Sequence, residues 1–290
     1  MGRLVILFSG MAYFMFCLTC MAGNGKGKLL HLGLTETGWQ VFEYDLSSQQ
    51  TKQLTFSMGD KNWPRYVEAT GMIAFRESRG YVYTYSDGKE ARWSEKTGMC
   101  ASYALADQGK SMFYTWWAAD NRGRHHLWRQ GRGDGFPTLF RRPDVGSFGH
   151  LAISPDGKLL VASQIPGFYE ERLVLLDLDN KSLAEYLTPN TFRAMYPSWS
   201  LDGKRILFSG TRDSQNYDLF EVDIATRKIS PLVASSDANE FAPVEGGDGA
   251  KVYYERKSAG QVHLDVLDRK SGKITQLDLP YPAREPYWYD

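Results

Sequence analysis

The chain contains 290 residues, in which 34 Lys or Arg are balanced by 34 Asp or Glu, so its formal net charge is zero. A nucleic-acid-binding protein needs an excess of basic side chains to contact phosphates, and we therefore expect no nucleic-acid partner. Aromatic residues make up 14% of the chain, which also contains 28 Gly and 12 Pro. This composition favours many short strands joined by turns and predicts an all-β protein.

The first residues are typical of a targeting segment. Arg3 is followed by an uncharged run from residue 4 to residue 21, and Cys20 and Ala22 are small residues of the kind that a signal peptidase requires. The pattern predicts a signal peptide over residues 1–22. Two alternatives stay open, a lipid attached to Cys20 and an uncleaved membrane anchor. All three predict a periplasmic or otherwise exported protein that contacts a membrane only through its N-terminus.

The rest of the sequence is organised by a repeat that contains a glycine turn. The clearest copy is YPSWSLDGKRILF at 196–208, and related copies are LAISPDGKLLV at 151–161 and APVEGGDGAKVYY at 242–254. The turn glycines recur at intervals of 38 to 48 residues, at Gly71, Gly109, Gly157, Gly203 and Gly249. An Asp-Gly turn between two apolar strands is typical of a β-hairpin, because glycine accepts a positive φ.

Two further strands follow each hairpin, so one unit supplies four antiparallel strands, the signature of a β-propeller blade. The final copy of the strand that begins each unit, at 285–290, has no further strands after it. Three strands without a first strand lie near the N-terminus, at 29–34, 39–45 and 52–55. Joining the two sets gives one composite blade and removes an open sheet edge. We therefore predict a six-bladed propeller over residues 23–290, closed by this composite blade.

The repeat resembles that of a known family. The segment PSWSLDGKRILF at 197–208, the pair Arg212-Asp213 and the segment YDLFEVD at 217–223 are similar to the WD40-like repeat of the TolB family of periplasmic propellers. The resemblance implies a propeller in the cell envelope, although its motif residues belong to turns and core. TolB carries an α/β domain before its propeller. We expect this chain to lack that domain, since the strand at Leu29 begins six residues after the predicted mature N-terminus.

Motifs of known catalytic chemistry are absent from the sequence. It has no Gly-x-Ser-x-Gly elbow, no His-Glu-x-x-His and no phosphate-binding loop. The five histidines are scattered over several units without the spacing of a ligand set, and only His150 lies at the predicted rim of the channel. Propeller lyases that act on uronic-acid oligomers are similar in architecture and hold a metal with histidines at such a place. Because His150 has no such companions, we expect neither a metal nor another cofactor.

Two surfaces are candidate binding sites. Residues at the start of each repeat should surround the mouth of the central channel, where loops vary without disturbing the core. This rim set comprises Trp63, His150, Arg193, Tyr196, Arg284 and Glu285. Trp and Arg concentrate binding energy at interfaces. They cluster again in an alternative surface formed by Trp116, Trp117, Arg122 and Arg124.

These features favour a non-catalytic scaffold over an enzyme. We expect an exported propeller that binds a protein partner of the cell envelope, since a rigid ring presents six sets of loops to a ligand. The alternative is a lyase or hydrolase that acts on an oligosaccharide or a peptide at the channel mouth. The sequence names neither the partner nor the pathway.

Overall fold

The computed structural model describes residues 26–93, 99–117, 124–133, 136–144, 146–167, 170–180, 184–211 and 216–290. Within these residues, 24 strands form six four-stranded antiparallel sheets, which confirms the predicted all-β propeller. One parallel bridge, between Glu171 and Arg193, links two neighbouring sheets. No helix in the described part of the chain has the length and apolar character needed to cross a membrane. The predicted signal peptide at 1–22 lies outside the described residues.

Each sheet is one blade, and in five of them the strands run outwards from the centre in sequence order. Blade 1 is composite and comprises β1 (Lys28–Thr35), β2 (Gly38–Asp45), β3 (Thr51–Gln53) and the innermost strand β24 (Ala283–Tyr289). Blade 2 comprises β4 (Lys61–Val67), β5 (Met72–Glu77), β6 (Val82–Ser86) and β7 (Lys89–Arg92). Blade 3 comprises β8 (Ser102–Ala106), β9 (Ser111–Trp117), β10 (His125–Gly131) and β11 (Thr138–Arg141), with one turn of 3-10 helix at Asp107–Gly109.

The second half of the ring repeats this arrangement. Blade 4 comprises β12 (Ser147–Ile153), β13 (Leu159–Gly167), β14 (Glu170–Asp177) and β15 (Ala184–Tyr186). Blade 5 comprises β16 (Arg193–Trp199), β17 (Arg205–Thr211), β18 (Asp218–Asp223) and β19 (Ile229–Val233). Blade 6 comprises β20 (Asn239–Gly246), β21 (Lys251–Ser258), β22 (Gln261–Asp268) and β23 (Ile274–Gln276).

The composite blade forms as the sequence predicts. β24 pairs antiparallel with β1, and Tyr289 lies opposite Lys28. β3 ends at Gln53, two residues earlier than predicted. β3 ends there because the next hydrogen bond from β2 goes to a side chain: the N–H of Val41 donates to Thr55 Oγ1 at 2.9 Å.

The repeated turn has the same structure in blades 4 and 5. Ser154 Oγ donates to Asp156 Oδ1 at 2.6 Å, and the N–H of Lys158 donates to the same oxygen at 3.1 Å. Asp202 accepts the equivalent two hydrogen bonds in blade 5. The glycine that follows has a positive φ, 74° at Gly157, which only glycine adopts without strain. Asp156 and Asp202 therefore stabilise the turns that the repeat predicts.

The core is divided among the junctions between neighbouring blades. In the described residues six apolar clusters occur, one at each junction. Leu30 and Phe75 are buried between blades 1 and 2, and Leu29 and Tyr253 are buried between blades 6 and 1. Because the junction of blades 6 and 1 is filled like the others, the six blades form a closed ring.

Candidate functional site

The first strands of the six blades surround a central channel. They line a cavity of about 490 Å³, a size at which proteins accommodate a small ligand or a side chain of a partner. At one end, called the mouth, the lining residues are Trp63, Ser102, His150, Tyr196, Ala242 and Glu285. At the opposite end, called the far end, they include Glu68, Glu245 and Asp290.

Breaks in strand pairing place these residues at the mouth. The register shifts at the mouth in blades 1, 2, 4, 5 and 6. Trp63, Tyr196 and Glu285 adopt φ values of 51°, 50° and 52° there. Each precedes a proline, which has no N–H to donate to the ladder, and such positions favour a bulge. The bulge re-aims the side chain, so the dipeptide X-Pro marks the mouth in these blades.

Aromatic rings form a continuous wall on one side of the mouth. The ring centroids of Trp63 and His150 are 6.1 Å apart, and those of His150 and Tyr196 are 4.0 Å apart. Tyr196 also meets the edge of Phe241 at 5.9 Å. The guanidinium of Arg76 lies over the Trp63 ring at 5.2 Å. Such edge and cation–π contacts hold the rings in fixed orientations before any ligand arrives.

Three carboxyl groups lie beside this wall. Glu285 Oε2 accepts the N–H of Trp63 at 2.5 Å, and Glu255 Oε2 accepts the N–H of Glu285 at 3.3 Å. Glu171 Oε1 lies 3.6 Å from His150 Nδ1. Burial raises the pKa of the Tyr196 phenol, and the negative charges of Glu285, Glu255 and Glu171 raise it further. The three carboxyl groups therefore share one electrostatic environment around Tyr196.

The surroundings of these groups disfavour their charge. Burial, followed by the charge of Glu285, raises the pKa of Glu255 to about 7. Burial likewise raises the pKa of Glu285, against the opposing effect of Arg284, whose Nε lies 3.9 Å from Glu285 Oε1. A carboxyl group with a pKa near neutrality suits proton transfer or binding of a cation.

The structure brings most of the predicted rim set together. Trp63, His150, Tyr196 and Glu285 line the mouth, whereas Arg193 and Arg284 stand at its border. Arg193 lies over the ring of Tyr217. Arg284 lies over the ring of Trp39 and donates a hydrogen bond to Asn62 Oδ1.

Sequence reasoning missed two mouth residues. Glu171 lies in β14 and Glu255 in β21, strands that carry no repeat motif at these positions. Both lie beside lining residues of the mouth: Glu171 Oε1 is 3.6 Å from His150 Nδ1 of its own blade, and Glu255 Oε2 accepts the N–H of Glu285 from the neighbouring blade. The signal in the sequence is weak, since it amounts to one acidic residue within a strand.

The alternative surface is only partly described. The Trp116 ring packs on Trp128, with centroids 5.2 Å apart, beside the cluster between blades 2 and 3. That ring therefore contributes to packing between blades. Arg124 is half-buried just before β10. Arg122 and the side chain of Trp117 lie outside the described residues.

The described residues do not offer a set of metal ligands. No group of three or more His, Cys, Asp or Glu side chains within them is arranged to hold a metal ion. His150, the histidine at the mouth, lies beside aromatic rings and one carboxyl group.

Comparisons with known proteins find similarity in structure. No family model and no curated protein matches the sequence. TolB from Acinetobacter baumannii is 18% identical over 92% of this chain and 67% of that chain, with a TM-score of 0.78. A chain of the nidogen/laminin complex is 11% identical over 90% of this chain and 98% of that chain, with a TM-score of 0.71. An oligogalacturonate lyase in complex with manganese is 15% identical over 86% of this chain and 73% of that chain, with a TM-score of 0.59.

This chain has the propeller fold of TolB. The similarity confirms the TolB-like architecture that the repeat predicts. At these identities the likeness concerns the fold alone, because one propeller architecture carries binding proteins and enzymes alike. The choice between a binding protein and an enzyme therefore depends on the side chains at the mouth.

Proposed function

We propose that this protein is an exported, non-catalytic propeller that binds a partner protein of the cell envelope through the mouth of its channel. The observation that carries this proposal is the wall formed by Trp63, His150 and Tyr196, bordered by Arg193 and Arg284. Aromatic and arginine side chains bury a large area with little loss of conformational entropy, and they dominate the binding energy of protein interfaces. The wall is rigid before binding, which lowers the entropy loss of association.

Two further observations support this proposal. The uncharged run within residues 1–22 is typical of a signal peptide, and export of the chain stays a prediction. The fold is shared with TolB and with a chain of the nidogen/laminin complex.

Single substitutions in the mouth test the proposal. Tyr196→Ala and Arg284→Ala remove one ring and one border charge, and we expect each to reduce capture of the partner from envelope extracts about tenfold or more. Bound proteins are identified by mass spectrometry and their capture is quantified against the unchanged protein. The melting temperature should stay nearly the same, because both side chains are partly exposed.

Matched controls lie on the outer strands. Tyr186→Ala removes a tyrosine that is 45% exposed in β15, and Arg227→Ala removes an exposed arginine of blade 5. Both control variants should capture the partner normally. Equal capture by the mouth variants and the controls contradicts the proposal. If capture depends instead on Arg122 and Arg124, the alternative surface is the binding site.

A second candidate function is a lyase or hydrolase that acts on an oligosaccharide or a peptide. The observation that favours it is Glu255, whose pKa of about 7 suits a general acid or base. The fold similarity to an oligogalacturonate lyase makes oligogalacturonate the first substrate to test. Release of unsaturated or reducing ends that Glu255→Gln abolishes would establish an enzyme. Turnover that persists in this variant would point to a contaminating activity.

A further inference from the structure

We propose that the mouth accepts a basic side chain of the partner, held between the carboxyl groups of Glu255 and Glu285 and against the rings of Trp63 and Tyr196. This inference rests on the proposed function and names the chemistry that the mouth recognises. The occupant is an ammonium or guanidinium group carried on a peptide.

The first argument is that the positive charges near the carboxyl groups are shared with other partners. Arg65, which acts on Glu285, donates to the carbonyl oxygen of Pro64 and lies over the Tyr287 ring. Glu255 accepts one long hydrogen bond, from the N–H of Glu285 at 3.3 Å. Arg284 stands 3.9 Å from Glu285, while its guanidinium is also engaged by Asn62 and by the Trp39 ring. A buried carboxylate needs a charge partner or several donors to offset the loss of water. A cation that entered the mouth would supply that partner.

The second argument is a buried carboxylate directed at the mouth. Glu171 is only 7% exposed, and its Oε1 has no hydrogen-bond donor. The same atom lies 3.6 Å from His150 Nδ1 and 3.8 Å from the position that a Cβ of Gly149 would occupy. Glu171 therefore faces the bulge that forms this side of the mouth. Its charge adds to the negative potential that a cation meets on entry.

The third argument is the shape and chemistry of the wall. The rings of Trp63, His150 and Tyr196 give an apolar surface that matches the methylene stem of a lysine or an arginine, while the carboxyl groups take the charged end. A cation also gains from the faces of aromatic rings.

The test uses a probe of defined charge. Pentalysine with blocked termini and a fluorescent label is titrated into the full-length protein at low salt, and binding is followed by anisotropy. We expect the same peptide with acetylated lysines to bind at least tenfold more weakly, because only the charge is removed. Glu255→Gln and Glu285→Gln should each weaken pentalysine binding about tenfold, since the amides keep the size of the side chain and still accept the N–H bonds.

The matched control is Glu68→Gln, which removes the same charge at the far end of the same channel. This variant should bind pentalysine like the unchanged protein. Equal loss in Glu68→Gln and in the mouth variants indicates attraction by net charge and overturns the inference. Thermal melts of all variants exclude loss by unfolding, and a variant that does not fold is replaced by Glu171→Gln.

The two proposals fail in different ways. If Tyr196→Ala abolishes partner capture but neither carboxyl variant changes pentalysine binding, the mouth binds the partner, and the proposal of a basic side chain as its occupant is wrong. If Tyr196→Ala captures the partner normally, the docking surface itself is wrong.

Discussion

Glu255 and Glu285 lie where their negative charge is poorly solvated, although each accepts one backbone N–H, from Glu285 and from Trp63 respectively. Apolar side chains of similar size would suit a structural position better, because a buried carboxylate destabilises the folded state whenever it is ionised. Residues that bind or react commonly reduce stability in this way. This cost in stability is consistent with the role that we propose for the two glutamates at the mouth.

This view predicts a pH-dependent gain in stability for Glu255→Gln. The pKa of Glu255 is about 7 in the folded protein against an ordinary value of 4.5, so the unfolded chain loses this proton first as the pH rises. Stability that is fully present below pH 4.5 is then lost between pH 4.5 and 7. The variant escapes this loss and should be more stable than the unchanged protein at pH 8 by about 1–3 kcal/mol, with no difference at pH 4.

Urea unfolding at pH 4 and pH 8 measures both differences. Glu68→Gln, at an exposed position, should stay within about 0.5 kcal/mol of the unchanged protein at either pH. An equal stability of Glu255→Gln and the unchanged protein at pH 8 would show that the Glu255 carboxyl is well accommodated.

The mouth residues differ in how far the sequence predicts them. Trp63, Tyr196 and Glu285 occupy the same place in their repeats, directly before proline, so their common location follows from alignment of the repeats. Glu171 and Glu255 have no such marker: Glu171 reaches His150 from another strand of blade 4, and Glu255 reaches Glu285 from the neighbouring blade. Alignment of the repeats predicts where a residue lies within its own repeat, but it does not predict contacts that the repeats have no common marker for.

At the scale of elements, blades 5 and 6 are joined by a network of charged side chains at the far end of the channel. Glu245 is 2% exposed and accepts the N–H of Leu201 at 2.8 Å. Its other carboxylate oxygen lies 3.2 Å from Arg205 Nη2 and 3.1 Å from Arg269 Nη2. Here the carboxylate accepts hydrogen bonds from Leu201 N–H and Arg205 Nη2 and forms an ion pair with Arg269, in contrast to Glu255.

Removing this carboxylate should be strongly destabilising. Glu245→Ala leaves two arginines half-buried beside an empty space, and we expect a loss of about 3–5 kcal/mol in the free energy of unfolding. Glu185→Ala removes an exposed carboxylate that pairs with Arg227, and it should lose less than about 1 kcal/mol. Chemical denaturation of both variants checks the difference. Similar losses in the two variants would mean that the network adds little to the junction.

At the scale of the whole molecule, the ring depends on the last strand of the described chain. Tyr289 stacks on Tyr66 with centroids 4.0 Å apart, and its hydroxyl donates to the carboxylate of Glu43. One side chain thus connects β24 with β2 in its own blade and with β4 in the next. The sequence predicts this closure because the numbers of first strands and outer strands at the two ends are complementary.

Deletion of residues 285–290 tests the closure. It removes the aromatic residues of β24 and opens the edge of β1, and we expect a loss of about 3–5 kcal/mol or more. The change is measured by thermal and chemical unfolding. Deletion of Asp290 alone is the control, since this residue is exposed, and it should have almost no effect. A six-residue deletion that melts like the intact protein refutes the composite blade.

The composite blade also determines when the molecule can finish folding. β1 is among the first described strands to be synthesised, whereas its inner partner β24 is the last. Closing a loop of that length is slow, and the other blades cannot be sealed into a ring before it happens. A growing chain therefore remains an open arc, with the edge of β1 unpaired, until its final strand arrives. If residues 1–22 direct export as the sequence predicts, this delay would keep the nascent chain unfolded and competent for translocation.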